Sequence, residues 1–422
     1  MHGMKRVVIF NYAEMGHLLP TYLFARKLKE RGFEVIYACS EEKLFPSMNN
    51  QGFAAVAYQD QDVYIAAHQG ASIYELLKGR KDMMATFMQE QKPDLIICDC
   101  IDQYIVGIAV EHQIPVCTYA PGLPDRHDWM LVPMTRLFEF LPKWHHPIYT
   151  SICRVLWLLI RQLEIHFHPL WKNYHKLIRE SLRSANIPIS RVDWKGGGRE
   201  RFRGVPEVVL CPQCFDYPRT NTEDMLYDGP SIELSRVNPD AVIPRDPKKK
   251  LVYCSFGSQT NRYQNGRQIF CHIIEAFMNK PEWELIIAVG KDLEADLSSL
   301  YKADNIRITG FAPQLDILRV ADLAIIHGGL GGIKECIYFG VPMIILPFDT
   351  DQFGNAWLVE THSIGVQYPI QKITPTIIQS MVAKILDTPM YRANVKNMSD
   401  IFQAAQQKSV MADLVTEMLR QN

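Results

Sequence analysis

Residues 311–355 read FAPQLDILRVADLAIIHGGLGGIKECIYFGVPMIILPFDTDQFGN. The run 323–326 (LAII) is short, apolar and β-prone, which predicts a buried strand. His327, Gly328 and Gly329 follow at once. Residues 330–339 read as a helix that carries Glu335. Gly340, Val341 and Pro342 stop it, and 343–346 (MIIL) makes the next strand. Strand, glycine-rich turn, helix, strand is a βαβ unit. In an open parallel sheet, ligands bind beyond the carboxyl ends of the strands. A glycine turn there lets backbone N–H groups approach an anion, and the helix N-terminus adds a partial positive charge. The stretch therefore predicts a phosphate seat with a histidine beside it.

The same logic extends upstream. Residues 251–259 (LVYCSFGSQ) run as an apolar strand into Ser255, Gly257 and Ser258, a second anion-friendly turn. A helix over 266–278, strands over 285–289 and 306–309, and helical segments after about 373 complete this half. At the other end, 5–10 (KRVVIF) predicts a strand and 11–16 a loop, with His17 closing it in GHLLP. A helix over 20–31 sets Leu23, Phe24, Ala25 and Leu28 along one face. Strands at 33–38, 53–58, 94–98, 115–120 and finally 207–210 alternate with helices at 73–89 and 101–112. Such alternation predicts an α/β fold: two Rossmann-like domains, each a parallel sheet covered by helices. Residues 218–250 hold Pro230, Pro239, Pro244, Pro247 and a lysine run with little periodicity, which reads as a linker. The expected division is 1–217, a linker over 218–250, 251–385, and terminal helices over 386–422.

Composition narrows the classes. A chain of 422 residues is long enough for two or three domains. A net charge of −1 offers no basic groove, so no nucleic-acid partner is expected. Cys98, Cys117 and Cys254 lie in apolar runs, where cysteine acts as a small hydrophobe. The pair Cys211 and Cys214 (CPQC) has no second pair or histidines at zinc spacing, so no metal site is expected. The N-terminus enters a strand without a signal-peptide pattern, and no apolar run approaches a membrane span. A cytoplasmic protein without a transmembrane segment is expected. Residues 128–183 read as a long helical stretch containing Trp129, Phe138, Trp144, Trp157, Phe167 and Trp171, as packed helix faces with some rings lining an apolar cleft. Within it 155–160 (VLWLLI) reads as buried, with a peripheral membrane contact as the alternative. His145, His146, His166, His168 and His175 have no acidic partner at ligand spacing and read as non-metal.

FAPQ, then HGGLGG with Glu335, then GVPMIILPF and DQ follow one another in the order and spacing of a known donor-binding signature. On these four segments the chain resembles the family 1 UDP-glycosyltransferases. It looks like their soluble bacterial members of the macrolide- or zeaxanthin-glycosylating kind. The resemblance implies the GT-B fold, two facing Rossmann-like domains with a cleft between them. The acceptor would bind in the first domain and the nucleotide sugar in the second, and the last helix would cross back to the first. It implies that Phe311 stacks on the base, that Ala312 and Gln314 meet its edge, and that Glu335 takes the ribose hydroxyls. His327 and the amides of Gly329, Leu330, Gly331 and Gly332 would hold the diphosphate, approached also by Ser255, Gly257 and Ser258. Asp351 and Gln352 would hold the sugar. One departure stands out: relatives carry Asn–Ser or Gly–Thr where this chain has Gly331 and Gly332, so a hydroxyl is missing at the phosphate.

His17 matches the family's catalytic histidine, the base that removes a proton from the acceptor hydroxyl. Asp99 matches the carboxylate that orients it, with Asp102 as fallback. The implied activity is inverting, metal-independent transfer of a hexose, glucose from UDP-glucose first, to a hydroxyl of a small hydrophobic acceptor. No cofactor is implied beyond the nucleotide sugar as co-substrate. Two other readings remain. A nucleotide-sugar isomerase of the UDP-N-acetylglucosamine 2-epimerase type shares the fold but has no need of the GHLLP histidine. A non-catalytic nucleotide-sugar-binding protein would bind without turnover.

Overall fold

The computed structural model describes residues 4–58, 73–124, 186–193, 201–219, 222–257, 265–349 and 351–421, with scattered positions between 155 and 183. Ser258, the aromatic residues of 128–183 and the histidines among them lie outside the described residues. Of the 155–160 run, Val155 and Leu159 are described, and both are exposed rather than buried. They are four residues apart and helical, so one face of that stretch looks outward.

The first sheet contains β1 (Arg6–Phe10), β2 (Glu34–Cys39), β3 (Ala54–Ala57), β4 (Leu95–Asp99) and β5 (Val116–Ala120). A small antiparallel hairpin, β6 (Val192–Asp193) and β7 (Arg201–Phe202), follows outside it. Then β8 (Glu207–Val209) and β9 (Met225–Tyr227) extend the first sheet to the order β3-β2-β1-β4-β5-β8-β9. All its pairings are parallel. The second sheet holds β10 (Lys250–Ser255), β11 (Trp283–Ala288), β12 (Ile306–Thr309), β13 (Leu323–Ile326), β14 (Met343–Ile345) and β15 (Gly365–Gln367). Its order is β12-β11-β10-β13-β14-β15, again parallel throughout. In each sheet the chain builds outward from the first strand in one direction, returns, and builds in the other. The reversal leaves a crevice between β1 and β4 and another between β10 and β13, the places where such sheets bind ligands.

The central strands are buried on both faces, which explains why they read as unbroken apolar runs. Side chains alternate across the sheet. Val8, Phe10, Ile96 and Cys98 enter one core cluster, while Val7, Ile9, Leu95 and Ile97 enter the other. The last helix, Val410–Gln421, joins the latter through Met411, Ala412, Val415 and Leu419, so the chain's end packs on its beginning. Each large apolar side chain buried in this way contributes about 1.5–3 kcal/mol.

The stretch expected to be a linker is partly built into the fold. Strand β9 lies inside it and pairs with β8. The next residues, 228–233, are buried. A Cβ at Gly229 would lie 2.7 Å from the carbonyl oxygen of Ala405. Gln406 exchanges hydrogen bonds with the backbone of Ile232 at 3.2 and 2.7 Å. Prolines and short strands hide this order from a periodicity reading, because long-range pairing supplies it. His17 also differs locally: it sits in a helical turn, Met15–Leu18, ahead of the longer helix Tyr22–Glu30.

Candidate active site

The first crevice brings His17 and Asp99 together. His17 Nδ1 is 2.7 Å from Asp99 Oδ2. The other carboxylate oxygen accepts the Ile101 N–H at 3.0 Å. Asp99 is 1% exposed at its side chain and His17 21%, so the carboxylate is sheltered while the imidazole reaches solvent. Asp99 is positioned by β4, whose last residue it is. An ionised carboxylate can only accept, so Nδ1 donates and Nε2 keeps the lone pair. That is the geometry of a general base with its orienting group. Tyr12 flanks it, ring centroids 5.1 Å apart. Asp99, rather than Asp102, is the partner.

The second crevice is lined by the turns after β10 and β13. Ser255 Oγ accepts the Gly257 N–H at 3.3 Å. A Cβ at Gly257 would lie 3.2 Å from His327 Cε1, and one at Gly329 only 2.6 Å from His327 Nε2. The imidazole thus sits between two glycines that leave it space. Gly328 has φ +98° and no room for a side chain, its Cβ position being 2.7 Å from Ile345 Cγ2. Gly331 is different: nothing lies within 4 Å of a Cβ there. At Gly332 the nearest atom is Ile326 Cδ1 at 3.7 Å, so neither glycine is required by packing. Burial pushes His327 down to about 4, and its Nδ1 is buried without a hydrogen-bond partner. His327 is therefore neutral near pH 7, an N–H donor rather than a cation.

Two further loops close on this turn. Asn355 Nδ2 donates to the Gly328 carbonyl at 3.0 Å and to Asp351 Oδ2 at 2.9 Å. Asp351 precedes the helix Gln352–Thr361 but its side chain does not cap it. Gln352 Oε1 accepts the N–H groups of Phe348 and Asp349 at 2.8 and 3.1 Å, which fixes the loop. At the other edge, Phe311 is 79% exposed, a flat ring outside the core. Glu335 is buried, and both its oxygens are engaged: Arg236 Nη1 donates to Oε1 at 2.8 Å, and the Gln314 amide to Oε2. The Tyr253 hydroxyl donates to Gln314 Oε1 at 3.2 Å. Arg236, Tyr253 and Asn355 carry no role in the sequence reading. Asp351 and Asn355 stand four apart across the start of one helix, a spacing that signals their contact. Arg236 gives none, being 99 residues from Glu335.

Comparison with known proteins follows the same lines. Residues 276–418 match the family described as erythromycin biosynthesis protein CIII-like, C-terminal domain. The NDP-glycosyltransferase YjiC of Bacillus subtilis is 23% identical over 419 residues, 97% of this chain and 96% of its own length. The oleandomycin glycosyltransferase of Streptomyces antibioticus is 31% identical over 142 residues, 33% of this chain and 32% of that protein. Among solved structures, the glycosyltransferase of kitacinnamycin superposes with a TM-score of 0.75 at 20% identity, covering 99% of both chains. CalG4, the calicheamicin glycosyltransferase, gives 0.75 at 18%, also over 99% of both. The chain has the GT-B fold, and over nearly its whole length it is similar in sequence to an NDP-glycosyltransferase.

In this GT-B chain the two halves are locked where the site forms. Lys334, buried in the helix Leu330–Tyr338, donates to the Leu210 carbonyl just past β8 at 2.6 Å. Its burial lowers its pKa. The Tyr217 hydroxyl donates to the Gly354 carbonyl at 2.8 Å, and its ring stacks on Trp357 at 5.4 Å. The carboxyl end of the first sheet thus abuts the two helices that begin at the His327 and Asp351 turns. Among the described residues no helix is long and apolar enough to cross a membrane. No group of three His, Cys, Asp or Glu side chains forms a candidate metal site among them.

Proposed function

We propose that this protein is a glycosyltransferase that moves a hexose, glucose from UDP-glucose, to a hydroxyl of a small apolar acceptor, with inversion and without a metal ion. The observation that carries the reading is the His17–Asp99 pair, 2.7 Å apart at the crevice of the first sheet. Nε2 of His17 takes the proton of the acceptor hydroxyl as its oxygen attacks the anomeric carbon. The bond from that carbon to the diphosphate oxygen breaks on the opposite face, which inverts the centre, and the nucleoside diphosphate leaves. Asp99 holds the tautomer and balances the charge on the ring. Such base catalysis contributes about 10²–10⁴ in rate.

On the donor side, the amides of Gly329, Leu330, Gly331 and Gly332 and the N–H of His327 face the charge that develops on the diphosphate. Ser255 and Gly257 approach it from the β10 turn. Preorganised dipoles in a dry site can carry that stabilisation, so no divalent ion is called for. Phe311 stacks on the base beside Ala312 and Gln314, Glu335 takes the ribose, and Asp351 and Gln352 hold the hexose. The solved relatives support a nucleotide sugar and an apolar acceptor: VinC is described in complex with dTDP, and SpnG with spinosyn aglycone. A cytoplasmic location goes with this reading, since Cys39, Cys117, Cys211 and Cys254 are buried thiols outside any disulfide.

The test is turnover of UDP-glucose with a panel of hydroxylated polyketides, carotenoids and flavonoids, following UDP release and product mass. A product heavier by one hexose is expected. His17→Ala should lower kcat about 10³-fold while UDP binding, measured by calorimetry, stays unchanged. Full activity in His17→Ala would remove the base from the mechanism.

A further inference from the structure

Glu335 does not meet an incoming ribose as a bare carboxylate. Its Oε1 accepts from Arg236 Nη1 at 2.8 Å and its Oε2 from the Gln314 amide. Arg236 belongs to the segment after β9, in the turn Leu234–Arg236. That turn is held from several sides. Glu233 takes both hydrogen bonds of Arg26 Nη2, at 2.9 and 2.7 Å, and accepts the Ser235 N–H at 3.0 Å. The Asn238 N–H donates to Asp316 Oδ1 at 2.9 Å. The guanidinium is therefore delivered to Glu335 by a fastened turn rather than by a wandering side chain. The pair lies at an opening, with side-chain exposures of 34% for Arg236 and 11% for Glu335.

We infer that Arg236 sets the nucleotide selectivity of the donor site: by pairing one oxygen of Glu335 it removes most of the penalty for a missing ribose 2′-hydroxyl, so that 2′-deoxyribose donors are accepted nearly as well as ribose donors. The inference rests on the proposed role of Glu335 toward ribose. A site rejects an analogue that lacks a hydroxyl chiefly because a buried polar group is left unpaired. Charge-assisted bonds to a carboxylate make that penalty large. Here the acceptor that a 2′-hydroxyl would satisfy already has a donor. A deoxynucleotide leaves nothing unpaired, and a ribonucleotide gains only a bond to an oxygen that Arg236 already shares.

The probes are UDP and dUDP, which differ only at the 2′ position, with dissociation constants measured by calorimetry on the full chain. Wild type should bind the two within about threefold. Arg236→Met keeps the apolar stem and removes the donor, so the preference for UDP over dUDP should rise about tenfold. Arg236→Lys keeps a cation and should stay near the wild-type ratio, which separates pairing from mere folding of the turn. Equal weakening of both nucleotides in Arg236→Met, with the ratio unchanged, would overturn the inference, as would a wild type that already rejects dUDP a hundredfold. If neither nucleotide binds wild type, or Glu335→Gln leaves both affinities untouched, the ribose reading itself fails and the inference falls with it.

Discussion

His17 and His327 each stand at the crevice of one parallel sheet, and their surroundings differ in one respect that decides their chemistry. His17 has a carboxylate 2.7 Å from Nδ1 and an exposed edge. His327 has no carboxylate on Nδ1, which is buried without a partner, and desolvation holds it neutral down to about 4. The same ring is thereby carboxylate-paired and open to solvent in one half, and desolvated and neutral in the other. Among the described residues no carboxylate bonds the His327 ring at the second crevice, whereas at the first the Asp99 carboxylate bonds His17 directly.

The sharpest way to break this contrast is to remove the carboxylate alone. Asp99→Asn keeps the shape but can present an amide N–H to Nδ1, favouring the wrong tautomer. We expect kcat to fall about 10³-fold, with UDP affinity at the wild-type value by calorimetry. Combined with His17→Ala, the loss should be far from additive, since the two act as one unit. Wild-type turnover in Asp99→Asn would show that the short contact has no part in catalysis.

The contrast is sharpened on the other side by pH. His327 titrates near 4 in the folded protein, against about 6.5 for an unfolded histidine. Between those values the unfolded chain binds the extra proton. Its stabilising share is complete above about pH 6.5 and is lost as the pH falls toward 4, by roughly 3 kcal/mol at most. Urea unfolding at pH 7, 5.5 and 4.5 should show a shallower decline in His327→Gln than in wild type. Identical slopes would mean that His327 is not desolvated.

The smallest effects separate glycines that geometry demands from those it does not. Gly328→Ala meets a left-handed backbone and Ile345 Cγ2 at 2.7 Å, and should cost about 1–3 kcal/mol. Gly331→Ala meets open space in the first turn of a helix and should stabilise by up to about 1 kcal/mol. Thermal melting of the two variants reads the difference. A shift of the same sign in both would contradict the assignment.

Much of the second crevice was legible because it is local. Phe311, His327, the glycines, Glu335 and Asp351 lie in one run whose apolar periodicity marks the strands and whose glycines mark the turns. Even there, the emptiness around Gly331 and the desolvation of His327 depend on neighbours that sequence spacing does not reveal. The first crevice was legible only in part. The residue types at positions 17 and 99 suggested a base and its orienter, but the two are 82 positions apart and the chain between them had to fold before the pair existed. Strand β9 was hidden because three residues between prolines carry no period of their own.

By itself the sequence determined the alternation of strand and helix, hence two parallel sheets, and the chemical types placed at their carboxyl ends. Local periodicity and turn chemistry suffice for that, because each βαβ unit is built from neighbours in the chain. Only the tertiary structure chose Asp99 over Asp102 for His17 and brought Arg236 to Glu335 and Lys334 to the Leu210 carbonyl. Those contacts join segments far apart in sequence. Their strength comes from the burial and fixed geometry that packing two sheets together creates.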